Sequence, residues 1–164
     1  MNGAAPSFSS QPMTPRHSAA LAPASPLHRL LAGLLGIACL ALLLVAASLT
    51  PDPHGLGTHQ QLGLPPCGFY LVTHLPCATC GMTTAFAYAA HGHLLAAVSV
   101  QPAGATLAVL TAMTAVVASW GAVSGASLAP LGRWVFQPRV ILSLAAWVLV
   151  SWGYTLLTAL GIIG

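Results

Sequence analysis

The chain has 164 residues, of which 57% are hydrophobic and only 3% charged. A soluble domain carries about a quarter charged residues. Arg16, Arg29, Asp52, Arg133 and Arg139 alone cannot furnish a water-facing surface, so lipid is the expected solvent for most of the chain. Four arginines against one aspartate are too few for a nucleic-acid face and read instead as topology signals.

Residues 1–27 are rich in Ser, Pro and Ala without an apolar period, and are expected to be disordered because they bury too little surface to offset chain entropy. The remainder, 28–164, reads as one membrane domain. Leu30 to Leu49 is an uncharged apolar run. At 1.5 Å per residue it covers the roughly 30 Å of a hydrocarbon core. Val45-Ala46-Ala47 resembles a signal-peptidase site, yet the run exceeds the usual signal-peptide core of about 7–15 residues, so an uncleaved span is expected. Cys39, mid-span, reads as a small apolar filler.

Residues 50–80 form a loop. Pro51, Pro53, Pro65, Pro66 and Pro76 forbid a continuous helix there. Residues 81–100 look helical but are a poor span: they carry Thr83, Thr84, His91 and His93, Gly92 breaks the middle, and Gln101-Pro102 ends them. A re-entrant or interfacial helix is expected. Residues 103–123 are a cleaner span, and Gly121-x-x-x-Gly125 is only a weak packing signal in so glycine-rich a chain. Arg133 and Trp134 suit an interfacial connection before the last span at 140–163. The expected fold class is therefore all-α: a polytopic membrane protein of about three transmembrane helices plus one short helix. Three spans put all four arginines on one side, which the positive-inside rule makes cytoplasmic together with the N-terminus. The loop at 50–80 would then lie outside.

That loop holds Cys67 and Cys77-Ala-Thr-Cys80. Two thiols at C-x-x-C spacing can reach one metal ion or form a short-loop disulfide. A helix starting near Gly81 would favour thiolate at its N-terminus, and Thr79 is placed to cap it. Three readings stay open. Cys67, Cys77 and Cys80 with His74 make a tetrahedral set for zinc. Cys77 and Cys80 make a redox pair able to exchange disulfides. Or a disulfide from Cys67 to Cys77 or Cys80 staples the loop, with no cofactor. His91 lies too far along a straight helix to join the cysteines, since 1.5 Å per residue puts it about 16 Å from Cys80. With Cys80, Thr84 and Tyr88 it forms a polar stripe at i, i+4, i+8 and i+11, which inside a membrane helix faces protein or water. No nucleophile–base–acid set, phosphate-binding glycine loop or carboxylate pair can be assembled, so the residues do not point to an enzyme. Transport lacks its marks too: no internal repeat and no intramembrane acid.

From Cys67 to Pro102 the chain resembles domain-of-unknown-function family 2752, short bacterial membrane proteins with a C-P-x-C-G-x-T-R-A-like core followed by H-G and N-P. Cys67, Thr73, Cys77-Ala-Thr-Cys80-Gly-Met-Thr-Thr-Ala85, His91-Gly92 and Gln101-Pro102 carry the likeness. Gly68, His74, Ala78 and Thr84 depart from it, the last replacing an arginine. The resemblance implies a multi-pass protein of the bacterial cytoplasmic membrane and lends no mechanism. The functional expectation is a structural or accessory protein whose cysteine loop is stabilised by metal or disulfide and serves a membrane protein partner or a second copy. The alternative is a thiol–disulfide oxidoreductase or relay using Cys77 and Cys80.

Overall fold

The computed structural model describes residues 25–162. The expected disorder of residues 1–27 falls almost wholly outside them; the described chain is helical from Pro26. The described elements are α1 (Pro26–Ser48), a 3-10 turn (Thr58–Leu62), α2 (Gly68–Thr73), α3 (Met82–Ala90), α4 (Leu94–Val100), α5 (Pro102–Ser124), α6 (Ala129–Val135) and α7 (Pro138–Ala159). There is no strand among them. Helices α1, α5 and α7 are long and apolar enough to cross a membrane. Each begins on proline, whose missing N–H would be unpaired in the first turn anyway.

Large apolar side chains cover the outside of all three long helices. Ile37, Val116, Trp120 and Leu142 are all at least two-thirds exposed. In water that surface would drive aggregation; in lipid it is the expected outer coat.

Helices α1 and α5 pack antiparallel and close. A Cβ on Gly36 would stand 2.7 Å from Ser119 Oγ and 3.2 Å from the Ser119 nitrogen, so the approach requires glycine. Small residues let membrane helices gain dispersion contact between backbones. At one end Arg29 donates from Nε to the Ala122 carbonyl at 3.0 Å and from Nη2 to the Val123 carbonyl at 3.2 Å. It thereby satisfies carbonyls that α5 leaves open at its C-terminus, where a cation is favoured. Arg29 is thus a helix cap as well as a charge. Of the two glycines in the weak packing signal, Gly121 lies against Leu128 and Gly125 is the left-handed residue that ends α5.

Helix α7 is tied to the rest by hydrogen bonds spread along it. Trp147 Nε1 donates to Thr106 Oγ1, Ser151 Oγ accepts from the Ala103 nitrogen, and Tyr154 donates to the Ser99 carbonyl. These bonds place the C-terminal half of α7 beside the start of α5. Arg29, Arg133 and Arg139 therefore gather at one end of the three long helices, and Cys67, Cys77 and Cys80 at the other.

The single helix expected over 81–100 is two. Gly92, at φ +81°, and the turn around His91–His93 separate α3 from α4. The two fold back as a hairpin that joins Ala85 and Ala97 with Ala105 of α5 in one buried cluster. At 1.5 Å per residue neither approaches the roughly 30 Å of a span. Phe86 joins Ala46 and Ala108 in a second cluster, which wedges α3 between α1 and α5.

Candidate functional site

The C-x-x-C segment is a hydrogen-bonded turn: the Cys80 nitrogen donates to the Cys77 carbonyl at 3.0 Å, and Met82 to Thr79 at 3.1 Å. Gly81 follows at φ +84° and serves as the N-cap residue of α3 without a side-chain bond. A Cβ there would meet Val100 Cγ1 at 3.1 Å and the Gly55 carbonyl at 3.2 Å. Conformation and crowding both demand glycine. Thr79, expected to cap this helix, does not; its hydroxyl lies 3.3 Å from Cys77 Sγ.

The turn is clamped from both sides. Gln101 is completely buried, donates from Nε2 to the Ala78 carbonyl at 3.1 Å, and accepts at Oε1 from the Gly104 nitrogen as the N-cap of α5. Trp152 of α7 donates from Nε1 to the Pro76 carbonyl at 3.0 Å. Two long helices thus fix the residues on either side of Cys77. In the sequence Gln101 reads only as a helix stop; in the fold its amide bonds both the turn and α5.

Cys67 opens α2 as its N-cap residue. Its Sγ lies 3.6 Å from Cys77 Sγ, and Cys77 Sγ lies 3.1 Å from Cys80 Sγ. All three sulfurs fall within 4.8 Å of one another. All four cysteines are free, so the structure contains no staple between Cys67 and either partner. Zn–S bonds of about 2.3 Å at tetrahedral angles put sulfurs about 3.8 Å apart. Shifts below about an ångström would seat the three on one ion, so the donor set fits zinc.

The two thiols of the pair differ in acidity. Burial of Cys77 raises its pKa, but hydrogen bonds from the Thr79 hydroxyl, the Cys80 thiol, the Thr79 backbone and the Cys67 thiol outweigh it and lower it to about 7. Burial first, then sharing a proton with Cys77, pushes Cys80 up to about 12. The thiolate expected from the start of α3 is not found at Cys80, the cysteine beside it; the lowered thiol is Cys77, and hydrogen bonds lower it. Cys80, directly before the left-handed Gly81, is the protonated member.

The sulfurs line a cleft of about 760 Å³. Its facing wall comes from the loop at 52–66 and carries Asp52, His54 and His59. That wall is held by a fully buried hydroxyl pair, Thr58 Oγ1 and Thr84 Oγ1 at 2.8 Å, and by the Asp52 nitrogen donating to Thr58 Oγ1. A second cleft, of about 440 Å³, lies on the other side of Cys80 and is bordered by His74 and Thr155.

Among the sequence candidates, the structure brings Cys67, Cys77 and Cys80 together. His74 stands outside that group, in a left-handed conformation with its ring edge-on to Tyr70. The polar stripe is not continuous. Cys80 precedes α3; Thr84 is consumed by Thr58; Tyr88 meets the His93 ring edge-on; His91 lies past the helix end, its Nδ1 2.8 Å from the Ala87 carbonyl.

Residues 67–115 match the family described as Protein of unknown function (DUF2752). The DUF2752 segment runs from Cys67 through the C-x-x-C turn and the α3–α4 hairpin into α5. It therefore contains all three clustered cysteines and Gln101, while the facing wall of the cleft and α7 lie outside it. The family resemblance read from the sequence holds. No curated protein and no solved structure matches the chain.

Proposed function

We propose that the cleft is a thiolate metal centre whose ion, zinc first among the choices, fixes the cysteine loop as a structural or accessory platform for a membrane protein partner or a second copy of the chain. The observation that carries this is the grouping of the Cys67, Cys77 and Cys80 sulfurs within 4.8 Å, the last two on a turn clamped by Gln101 and Trp152. Cys67 and Cys77 thiolates with a borderline-soft d10 ion need no redox partner, and thiolate sets select zinc or copper(I) over hard cations. Zinc is favoured on charge: three thiolates around a divalent ion leave one net negative charge, around a monovalent ion two. The arginines gathered at the far end support a cytoplasmic N-terminus, with the cleft on the outer face of a bacterial cytoplasmic membrane.

The test is limited proteolysis of the full chain in membranes. Chelator, or Cys77→Ser, is expected to open the loop at 50–80 to protease while the long helices stay intact. Unchanged protection under both treatments defeats the proposal.

A second reading, thiol–disulfide exchange, is favoured by the opposed acidities of Cys77 and Cys80. In it the Cys77 thiolate attacks a partner protein's disulfide, forming a mixed disulfide and releasing one partner thiolate. Cys80 then attacks Cys77, its proton passing to the departing sulfur, which leaves as the partner's second thiol, and a Cys77–Cys80 disulfide remains. Cys80→Ser is expected to trap the mixed disulfide; a folded variant that traps nothing in membranes ends this reading.

A further inference from the structure

Three sulfurs fill three corners of a tetrahedron, and a structural zinc site closes the fourth with a protein ligand. The identity of that ligand rests on the metal-centre reading. Five histidines lie near enough to the site in sequence to be considered: His54, His59, His74, His91 and His93. His93 does not line the cleft, and its ring lies edge-on to Tyr88. His91 does not line the cleft, and its Nδ1 faces its own helix carbonyl. His74 borders the second cleft and not the one that holds Cys67 and Cys77. His54 lines the cleft, but its imidazole makes no hydrogen bond to the described residues that would orient the ring; only its backbone nitrogen is bonded, to Asp52 Oδ1.

His59 differs on both counts. It lines the cleft with all three cysteines, and its Nε2 lies 3.2 Å from the Pro65 carbonyl. A carbonyl only accepts, so Nε2 carries the proton and Nδ1 keeps its lone pair. A metal-bound histidine nearly always donates its other N–H to a carbonyl or carboxylate in this manner, which fixes its tautomer. The carbonyl is also well placed in sequence: Pro65 precedes Cys67 by two residues, through a second proline. The segment that delivers one sulfur therefore orients the ring. We propose that His59 supplies the fourth ligand through Nδ1 and closes a Cys3His zinc site between the DUF2752 segment and the loop that precedes it. His59 stands outside the 4.8 Å sulfur group but lines the same cleft; on binding, the ring and the Pro65 carbonyl that holds it close together toward the sulfurs, so the Nε2 bond is kept. The site so closed pins the loop at 52–66 to the C-x-x-C turn.

The probe is Co2+, titrated into the full-length protein purified in detergent and stripped of metal beforehand. Wild type is expected to bind one ion with thiolate-to-cobalt charge-transfer absorption and the visible bands of a tetrahedral site. H59Q is expected to keep the thiolate absorption, shift the visible bands, and bind about tenfold more weakly or worse, since altering even an outer-shell partner of a ligand costs ~10–100-fold. H54Q and H74Q are expected to match wild type. H59C gives a signal that misfolding cannot imitate: added charge-transfer intensity from a fourth thiolate. Wild-type spectra from H59Q, a band shift in H54Q or H74Q instead, or no added intensity in H59C each overturn the assignment while leaving the three-cysteine site standing. Absence of thiolate absorption in wild type removes the metal-centre reading itself, and this inference with it.

Discussion

Replacing Gln101 by leucine tests how the site is built. The side chain is completely enclosed, and leucine has similar bulk, so the change removes polar atoms and leaves little cavity. Two bonds are lost. The first is the N-cap of α5, accepted from the Gly104 nitrogen; caps are worth about 1 kcal/mol. The second is the donation to the Ala78 carbonyl, and a buried acceptor left unpaired costs about 1–3 kcal/mol. Together they come to about 2–4 kcal/mol, which at ~1.4 kcal/mol per tenfold raises local opening by roughly 30- to 700-fold. Both losses fall on neighbouring backbone, so they appear at two places. Hydrogen–deuterium exchange in detergent is expected to accelerate in peptides covering 77–81 and 101–105, with α1 unchanged. Wild-type exchange in the first peptide would refute the clamp, whatever happened to the cap.

Further perturbations separate the remaining contacts. In protein stripped of metal, alkylation of Cys77 is expected to follow a midpoint near pH 7, because the thiolate is the nucleophile; its rate falls below that pH, and Thr79→Ala moves the midpoint up toward the ordinary value of about 9. Rates measured in Cys80→Ser would mix two effects, so the comparison is made with both cysteines present and adducts located by mass spectrometry. Trp152→Phe keeps an aromatic ring but loses the pyrrole part of the indole with its bond to Pro76, and is expected to cost at least about 1 kcal/mol and to quicken exchange at 76–80. Gly36→Leu forces α1 off α5 and is expected to lower the thermal midpoint sharply, whereas Gly68→Ala, with nothing within 4 Å, should leave it within error. Arg29→Gln loses the charge-assisted bonds to Ala122 and Val123 and is expected to fray the end of α5, seen as faster exchange at 120–124.

The long helices are legible in the sequence because lipid imposes a simple requirement. About 20 apolar residues must run without charge, and proline marks where each run starts. The cysteine turn is legible for a different reason: C-x-x-C followed by glycine is local chemistry at fixed spacing. What is not legible depends on contacts between distant residues. Thr58 and Thr84 are 26 positions apart, Gln101 and Ala78 are 23, and Trp152 and Pro76 are 76. No periodicity encodes such pairs. Thr84 shows the effect: read as part of a polar stripe, it is buried, and its hydroxyl bonds Thr58 of the 3-10 turn. The break at Gly92 is visible in the sequence, but not that the two short helices fold back and bury Ala85 against Ala97. Gln101 has a local signal, a polar amide beside Pro102 at the start of a span, which is where an N-cap is wanted.

Whether the three cysteines share one ion is answered by X-ray absorption on the purified full-length protein. Metal analysis comes first, then the absorption-edge spectrum of the metal found. One zinc per chain with three sulfur scatterers near 2.3 Å and one lighter neighbour is the spectrum expected from the geometry. A protein that purifies without zinc or copper from metal-replete cells, or a bound metal surrounded by oxygen and nitrogen alone, would rule the shared ion out.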